Sequence, residues 1–254
     1  MIVLQTKQLI KIYGGKNDGG STRALNGVDV KIESGEFVGV MGPSGSGKTT
    51  LLNILGGIDK PTSGFVKIMD KNIETLSKDE LAIFRRKKLG FVFQEFNLMD
   101  SLTLKENVML PMILDKEKAD IMEAKTKEIM EFFEIYDICD KYPYNISGGQ
   151  QQRVAASRAL VNDPDIILAD EPTGNLDSKS SNNVMKSLEM INEVRNSTIL
   201  MVTHDPFAAS FCKRIIFIKD GNINMEIVRK GDKKEFFDRI LDCQAIIGGD
   251  RNDI

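Results

Sequence analysis

At 254 residues, and with about 150 residues to a typical domain, the chain encodes one large domain or a core with a subdomain, not a small disulfide-stapled fold. Apolar residues at 41% and charged residues at 28% are ordinary globular values, which excludes a disordered or fibrous chain. With 34 basic against 37 acidic side chains the net charge is −3, which argues against a protein whose main task is wrapping nucleic acid.

Residues 3–5, 9–12 and 28–32 carry β-type patterns around a glycine-rich break at 14–20, and they predict an antiparallel sheet. Residues 36–41 form a short apolar run ending in a glycine-rich loop, and residues 50–55 have helical character. That order is strand, loop, helix. Over 119–136, Met122, Ile129, Phe132 or Phe133, and Tyr136 recur at helical spacing among Lys and Glu, which predicts an amphipathic helix in a mostly helical middle region.

From Asp165 onward, the short apolar runs at 166–169, 198–202 and 214–218 have the composition of buried strands. Val184, Leu188 and Ile191 share a helix face between the first two, so strand and helix alternate as in a parallel α/β sheet. Asp220-Gly221 predicts a hairpin turn. A last helix is expected from Lys233, with Asp232 as N-cap and Phe236, Ile240, Cys243 and Ile247 on one face.

No stretch approaches the roughly 18 to 20 apolar residues that span a bilayer. The start at residues 1–8 lacks a basic region followed by a long apolar run, so a cytoplasmic location is expected. Cys139, Cys212 and Cys243 are odd in number and far apart, and read as buried or partly buried thiols.

The segment Gly42-Pro43-Ser44-Gly45-Ser46-Gly47-Lys48-Thr49 matches the phosphate-binding loop pattern and lies after a strand and before a helix, where the pattern has to lie. Its glycines let backbone N–H groups wrap a phosphate chain, and the helix N-terminus adds a positive dipole end. Lys48 would neutralise the β- and γ-phosphates, and Thr49 would ligate Mg²⁺. The acidic partner is expected at the end of another buried strand, where Asp170 would hold Mg²⁺ and Glu171 would polarise the attacking water. Alone, two such carboxylates would read as a solvated loop start.

The long interval between Lys48 and Asp170 ends in Ser147-Gly148-Gly149-Gln150-Gln151. Here the chain resembles the ATP-binding subunit of ABC transporters, from Tyr13 to about residue 228. The resemblance implies an α/β fold: a RecA-like P-loop NTPase core with an antiparallel β subdomain and an inserted α-helical subdomain. It places the ATPase domain over 1–230, the helical subdomain at about 95–160 and a C-terminal helical extension over 231–254.

Ser147 and Gln150 also have the spacing of a capping box, a common device that starts a helix at the glycines. In the family, the same helix end (Ser147, Gly148, Gly149, Gln150) faces the γ-phosphate of ATP held by a second subunit. The resemblance therefore implies a head-to-tail homodimer in the ATP-bound state. It further implies that Tyr13 stacks on adenine, that Gln94 reaches Mg²⁺ and the attacking water, that Asp177 bridges subunits and that His204 contacts the γ-phosphate. Read without it, Tyr13 is a core tyrosine and His204, the single histidine of the chain, a structural or surface residue. The implied cofactors are ATP and Mg²⁺. The catalytic set is Lys48, Gln94, Glu171 and His204, the metal set Thr49, Gln94 and Asp170, and Thr50 joins residues 42–49 in holding the nucleotide.

In this family the stretch 95–107, with Phe96, Leu98 and Leu102, receives the coupling helix of an integral membrane permease, and the subunit sits peripherally on the inner face of the membrane. The sequences at 94–98, 106–111 and 170–178 resemble the macrolide-export and lipoprotein-release branch, which also holds bacitracin-type antimicrobial-peptide transporters. The tail over 231–249 is most similar to the antimicrobial-peptide type. Its alternative is an amphipathic helix that covers the sheet edge. Lipoprotein release, macrolide export and cell division remain as alternative functions, and an ABC ATPase acting on nucleic acid is disfavoured by the acidic balance and the absence of a long coiled-coil insertion.

Overall fold

The computed structural model describes residues 1–14 and 20–248; the break at 15–19 and the end at 249–254, including Gly249, lie outside the described residues. An antiparallel sheet is built on β1 (Ile2–Tyr13), which pairs with β2 (Thr22–Val28) and β3 (Lys31–Glu33) on one side and with β5 (Ser63–Ile68) on the other; β6 (Lys71–Asn72) follows β5.

Two strands differ from the sequence pattern. β1 is continuous where two strands are expected, because Gln8, at φ +47°, forms an irregularity that carries the pairing past residues 7–10. The run at 28–32 is divided instead. The Thr6 hydroxyl donates to the Val28 carbonyl at 2.9 Å and accepts from the Val30 N–H at 2.8 Å, so a side chain replaces the ladder around Asp29.

The second sheet runs in the order β11-β10-β4-β9-β8-β7, comprising β4 (Phe37–Met41), β7 (Leu89–Val92), β8 (Ile166–Asp170), β9 (Ile199–Val202), β10 (Arg214–Lys219) and β11 (Asn222–Val228). All neighbours are parallel except β10 and β11, which are joined by the hairpin at Asp220 (φ +49°) and Gly221 (φ +73°). Two positive φ values in succession are what a type I′ turn demands. Both faces of the parallel strands are covered, which is why they read as unbroken apolar runs. Phe37, Met41, Ile199 and Met201 join one core cluster, while Val38, Val40, Leu200 and Val202 join the other, with the antiparallel sheet.

The helices are α1 (Lys48–Leu55), α2 (Lys78–Lys88), α3 (Leu104–Leu114), α4 (Ala119–Phe132), α5 (Gly148–Leu160), α6 (Ser178–Val194), α7 (Pro206–Ala209) and α8 (Lys233–Gly248). Apolar periodicity missed α2 and α3. Each nonetheless opens with a capping box, Ser77 with Glu80 and Thr103 with Glu106, and that spacing is visible in the sequence. The helix expected over 119–136 stops at Phe132; Phe133 is the buried member of the phenylalanine pair. No described helix is long and apolar enough to cross a membrane.

The tail is a docked element. Asp232 caps α8 by accepting from the Glu235 N–H at 2.9 Å, and Phe236, Ile240 and Ile247 are buried in the same cluster as Phe211 and Phe217, with Cys243 packed at its edge.

Candidate active site

β4, β9 and β8 are parallel and adjacent, so the loops that follow them emerge side by side at one edge of the sheet, where α/β folds bind ligands. These loops carry the P-loop, His204 and Glu171. A Cβ at Gly42 would overlap the Ile218 carbonyl, and one at Gly47, where φ is +102°, would overlap the Ala24 carbonyl, so only glycine fits either place. No side chain caps α1, which leaves its first-turn N–H groups for a ligand.

The Lys48 ammonium donates to the carbonyls of Gly42 (2.9 Å) and Pro43 (2.8 Å), and the residue is buried. Burial holds its pKa below the usual lysine value, against the opposing pull of Glu171 and Asp170. Burial likewise raises the Asp170 carboxyl, the neighbouring Glu171 adds to the rise, and Lys48 opposes it. Glu171 sits in the left-handed region at φ +43°, its N–H donates to the Val202 carbonyl at 2.9 Å, and its Oε2 lies 2.9 Å from His204 Nδ1. The His204 side chain is 67% exposed.

Gly42, Pro43, Ser44, Gly45, Lys48 and Thr49 form one wall of a cleft of about 590 Å³; Glu171, His204 and Phe217 continue it, and Gln244, Ile247 and Gly248 of α8 close it. The cleft fits a polyphosphate. The Ser46 hydroxyl is buried without a hydrogen-bond partner among the described residues, and none of them stands within contact distance over Gly45. Among the described residues no group of three or more His, Cys, Asp or Glu is placed to hold a metal by itself. A divalent ion at this site would therefore rest on the Thr49 hydroxyl, Asp170 and phosphate oxygens, the mixed coordination Mg²⁺ favours.

Asp170, Thr50, Gln94 and Tyr13, all expected at the nucleotide, are not among the residues that line this cleft. Gln94 donates through Nε2 to Asn175 Oδ1 at 3.3 Å, and Asn175 Nδ2 returns a bond to the Gln94 carbonyl at 3.2 Å. Tyr13 is exposed at the end of β1, donates to Asp59 Oδ2 at 2.8 Å and has Lys11 Nζ 4.7 Å from its ring centre.

Ser147, Gly148, Gly149, Gln150 and Asp177 gather on a second surface. The capping box is formed: the Ser147 hydroxyl accepts from the Gln150 N–H at 3.3 Å, and Gln150 Oε1 accepts from the Ser147 N–H at 3.0 Å. Gly149 packs so near Ser180 that a Cβ would come within 2.7 Å of its hydroxyl. Asp177 caps α6, accepting from the N–H groups of Lys179 and Ser180 and from the Ser180 hydroxyl at 2.6 Å.

No sequence pattern points to Gln152, which is buried and donates to the carbonyls of Pro172 (2.8 Å) and Phe93 (3.3 Å). It ties α5 to the loop after Glu171 and to the segment holding Gln94. Phe96, Leu98 and Leu102 are half-buried, Leu98 packed against the core. The open apolar surface nearby is a groove of about 590 Å³ between α2, α3 and α5, lined by Ile58, Phe91, Phe93, Leu110, Pro111 and Leu114 among others.

Residues 25–174 match the family model described as ABC transporter. The chain is 54% identical over 250 residues to the uncharacterized ABC transporter ATP-binding protein YvcR of Bacillus subtilis, covering 98% of this chain and 96% of that protein. It is 49% identical to the bacitracin export ATP-binding protein BceA of Halalkalibacterium halodurans, covering all of both chains. The dimeric post-hydrolysis structure of the ATP-binding cassette MJ0796, bound to ADP and Pi, superposes with a TM-score of 0.81 at 44% identity over 90% of this chain and 99% of that one. Fold, motifs and relatives agree, and the chain belongs to the ABC transporter family as an ATP-binding subunit that hydrolyses ATP.

Proposed function

We propose that this protein is the ATPase of an antimicrobial-peptide transporter, dimerising on ATP at the inner membrane face to drive a permease. The observation that carries the ATPase roles is the convergence of Lys48, Thr49, Glu171 and His204 on one cleft. Similarity to BceA along the whole chain, α8 included, supports the antimicrobial-peptide assignment.

In this reading the P-loop backbone and Lys48 hold the β- and γ-phosphates, Thr49 and Asp170 hold Mg²⁺ with Gln94 at its edge, and Glu171 accepts the proton of the attacking water. Mg²⁺, when bound, would neutralise charge on the phosphate oxygens. His204 donates to the γ-phosphate, and Tyr13 stacks on adenine. The Gln94 side chain bonds Asn175 through Nε2, which leaves Oε1 as the atom to ligate the metal. The surface of Ser147, Gly149 and Asp177 meets the nucleotide on a second copy of the chain: the dipole at the N-terminus of α5 favours an anion there. The dimeric MJ0796 cassette supports dimerisation. Residues 1–230 act as the ATPase domain, with the helical segment about 95–160 receiving the permease.

Purifying tagged Glu171→Gln protein from native membranes in the presence of ATP tests the reading. Recovery of a large permease of about ten spans with a big extracellular domain supports it, whereas a four-span partner moves the function to lipoprotein release, macrolide export or cell division. Recovery without any membrane partner overturns transport.

A further inference from the structure

The tail helix does more than cover the sheet. Its last turns stand in the wall of the nucleotide cleft, where Gln244, Ile247 and Gly248 face the P-loop. They are held there from two sides. Ile247 is 4% exposed, and its carbonyl accepts from Lys219 Nζ at 2.6 Å, a cation at a helix C-terminus. Phe236 and Ile240 bury the preceding turns in the core. Gln244 is thereby fixed on a rigid element, and its Nε2 donates to the backbone carbonyl of His204 at 3.1 Å.

The His204 side chain is two-thirds exposed, so its orientation rests on the Glu171 carboxylate 2.9 Å from Nδ1 and on the backbone that carries it. The residues beside it are anchored, Thr203 by its N–H to the Val40 carbonyl at 3.1 Å and Asp205 by its N–H to the Thr203 hydroxyl at 3.0 Å. The Asp205 N–H and the His204 carbonyl belong to one peptide, which the Thr203 hydroxyl holds from its N–H side. The carbonyl of His204 itself is reached from α8, forty residues further along the chain.

We infer that Gln244 is a positioning residue for ATP hydrolysis: its amide orients the His204 loop, so that α8 sets how well the imidazole meets the γ-phosphate. This rests on the reading of His204 given above. A misplacement of catalytic groups on the scale of an ångström lowers turnover far more than it lowers binding.

The test is steady-state Mg·ATP hydrolysis by the full-length chain. Gln244→Met keeps the length and removes the donor without placing a charge beside the phosphates. It is expected to lower kcat about three- to tenfold with KM for ATP and the melting temperature unchanged. In a His204→Ala background, Gln244→Met should cost nothing further. Wild-type kcat in Gln244→Met, or a full additional loss on top of His204→Ala, overturns the inference while leaving the role of His204 intact. Wild-type kcat in His204→Ala overturns that role itself, and the inference with it.

Discussion

His204 Nδ1 and Glu171 Oε2 are 2.9 Å apart, although the two residues follow different strands of the sheet. The pairing is a consequence of strand order: β8 and β9 are parallel neighbours, with Asp170 in register with Val202, so Glu171, one residue past Asp170, and His204, two past Val202, leave the sheet at the same edge. Glu171 holds its place in a left-handed backbone conformation that costs a non-glycine residue about 1 kcal/mol or more, offset by its N–H bond to Val202. Strain of this kind at a carboxylate lining the cleft fits a residue placed for chemistry.

Glu171→Gln retains the shape of that side chain and removes the base. It should bind Mg·ATP, form a lasting dimer visible by size-exclusion chromatography, and hydrolyse ATP at least about 10²-fold more slowly. Turnover at the wild-type rate would remove Glu171 from the mechanism.

Asp170→Asn separates binding from stability. Burial raises the Asp170 pKa above its ordinary 3.8, so the ionised carboxylate costs the folded state stability at neutral pH. The group's favourable contribution is complete below 3.8 and is lost as pH rises through its raised folded value. At pH 7 without nucleotide the variant should melt a few degrees higher than wild type, and the gap should close as the pH falls toward 4. Added Mg·ATP should stabilise wild type and not the variant. A lower melting temperature for Asp170→Asn at pH 7 contradicts the assignment of burial as the dominant cause.

The groove between α2, α3 and α5 leaves large apolar side chains in water, Leu114 at 61% and Ile58 at 54% exposure. Leu114→Arg should abolish co-purification with the permease and leave the ATPase of the isolated subunit unchanged. Retained permease in the variant would move the docking surface elsewhere, for instance back to the half-buried Phe96 and Leu102.

Asp177 has two roles to separate, one visible in the fold and one at a subunit contact. Asp177→Ala removes the N-cap of α6 and should lower the melting temperature by a few degrees. Asp177→Ser restores a capping side chain and with it the stability. If Asp177 also bridges subunits, Asp177→Ser will still fail to support the ATP-bound dimer in a Glu171→Gln background; normal dimerisation there limits Asp177 to the cap.

Deleting residues 231–254 removes Phe236, Ile240 and Ile247 from the core, each contributing about 1.5 to 3 kcal/mol by burial, out of a total stability of about 5 to 15 kcal/mol. The truncated chain should unfold cooperatively at a much lower temperature. Cys212 reports it: burial pushes its thiol pKa up, so native protein should resist alkylation there, and truncation should make it reactive. A truncated chain with wild-type stability and a protected Cys212 would return α8 to a pure docking role.

Features whose physics is local are legible in the order of residues alone. The P-loop glycines, the capping box at Ser147 and Gln150, the Asp220-Gly221 turn and the apolar runs of the parallel strands each declare themselves within a few residues, because backbone geometry and burial on both faces restrict the residue types allowed there. Which distant segments meet follows from the folded chain. Strand order brings Glu171 to His204, Gln152 ties α5 to two loops through carbonyls any residue can supply, and α8 folds back so that Gln244 reaches the His204 carbonyl. Backbone carbonyls carry no side-chain identity, so contacts made to them leave no pattern in the sequence of the segment that accepts them.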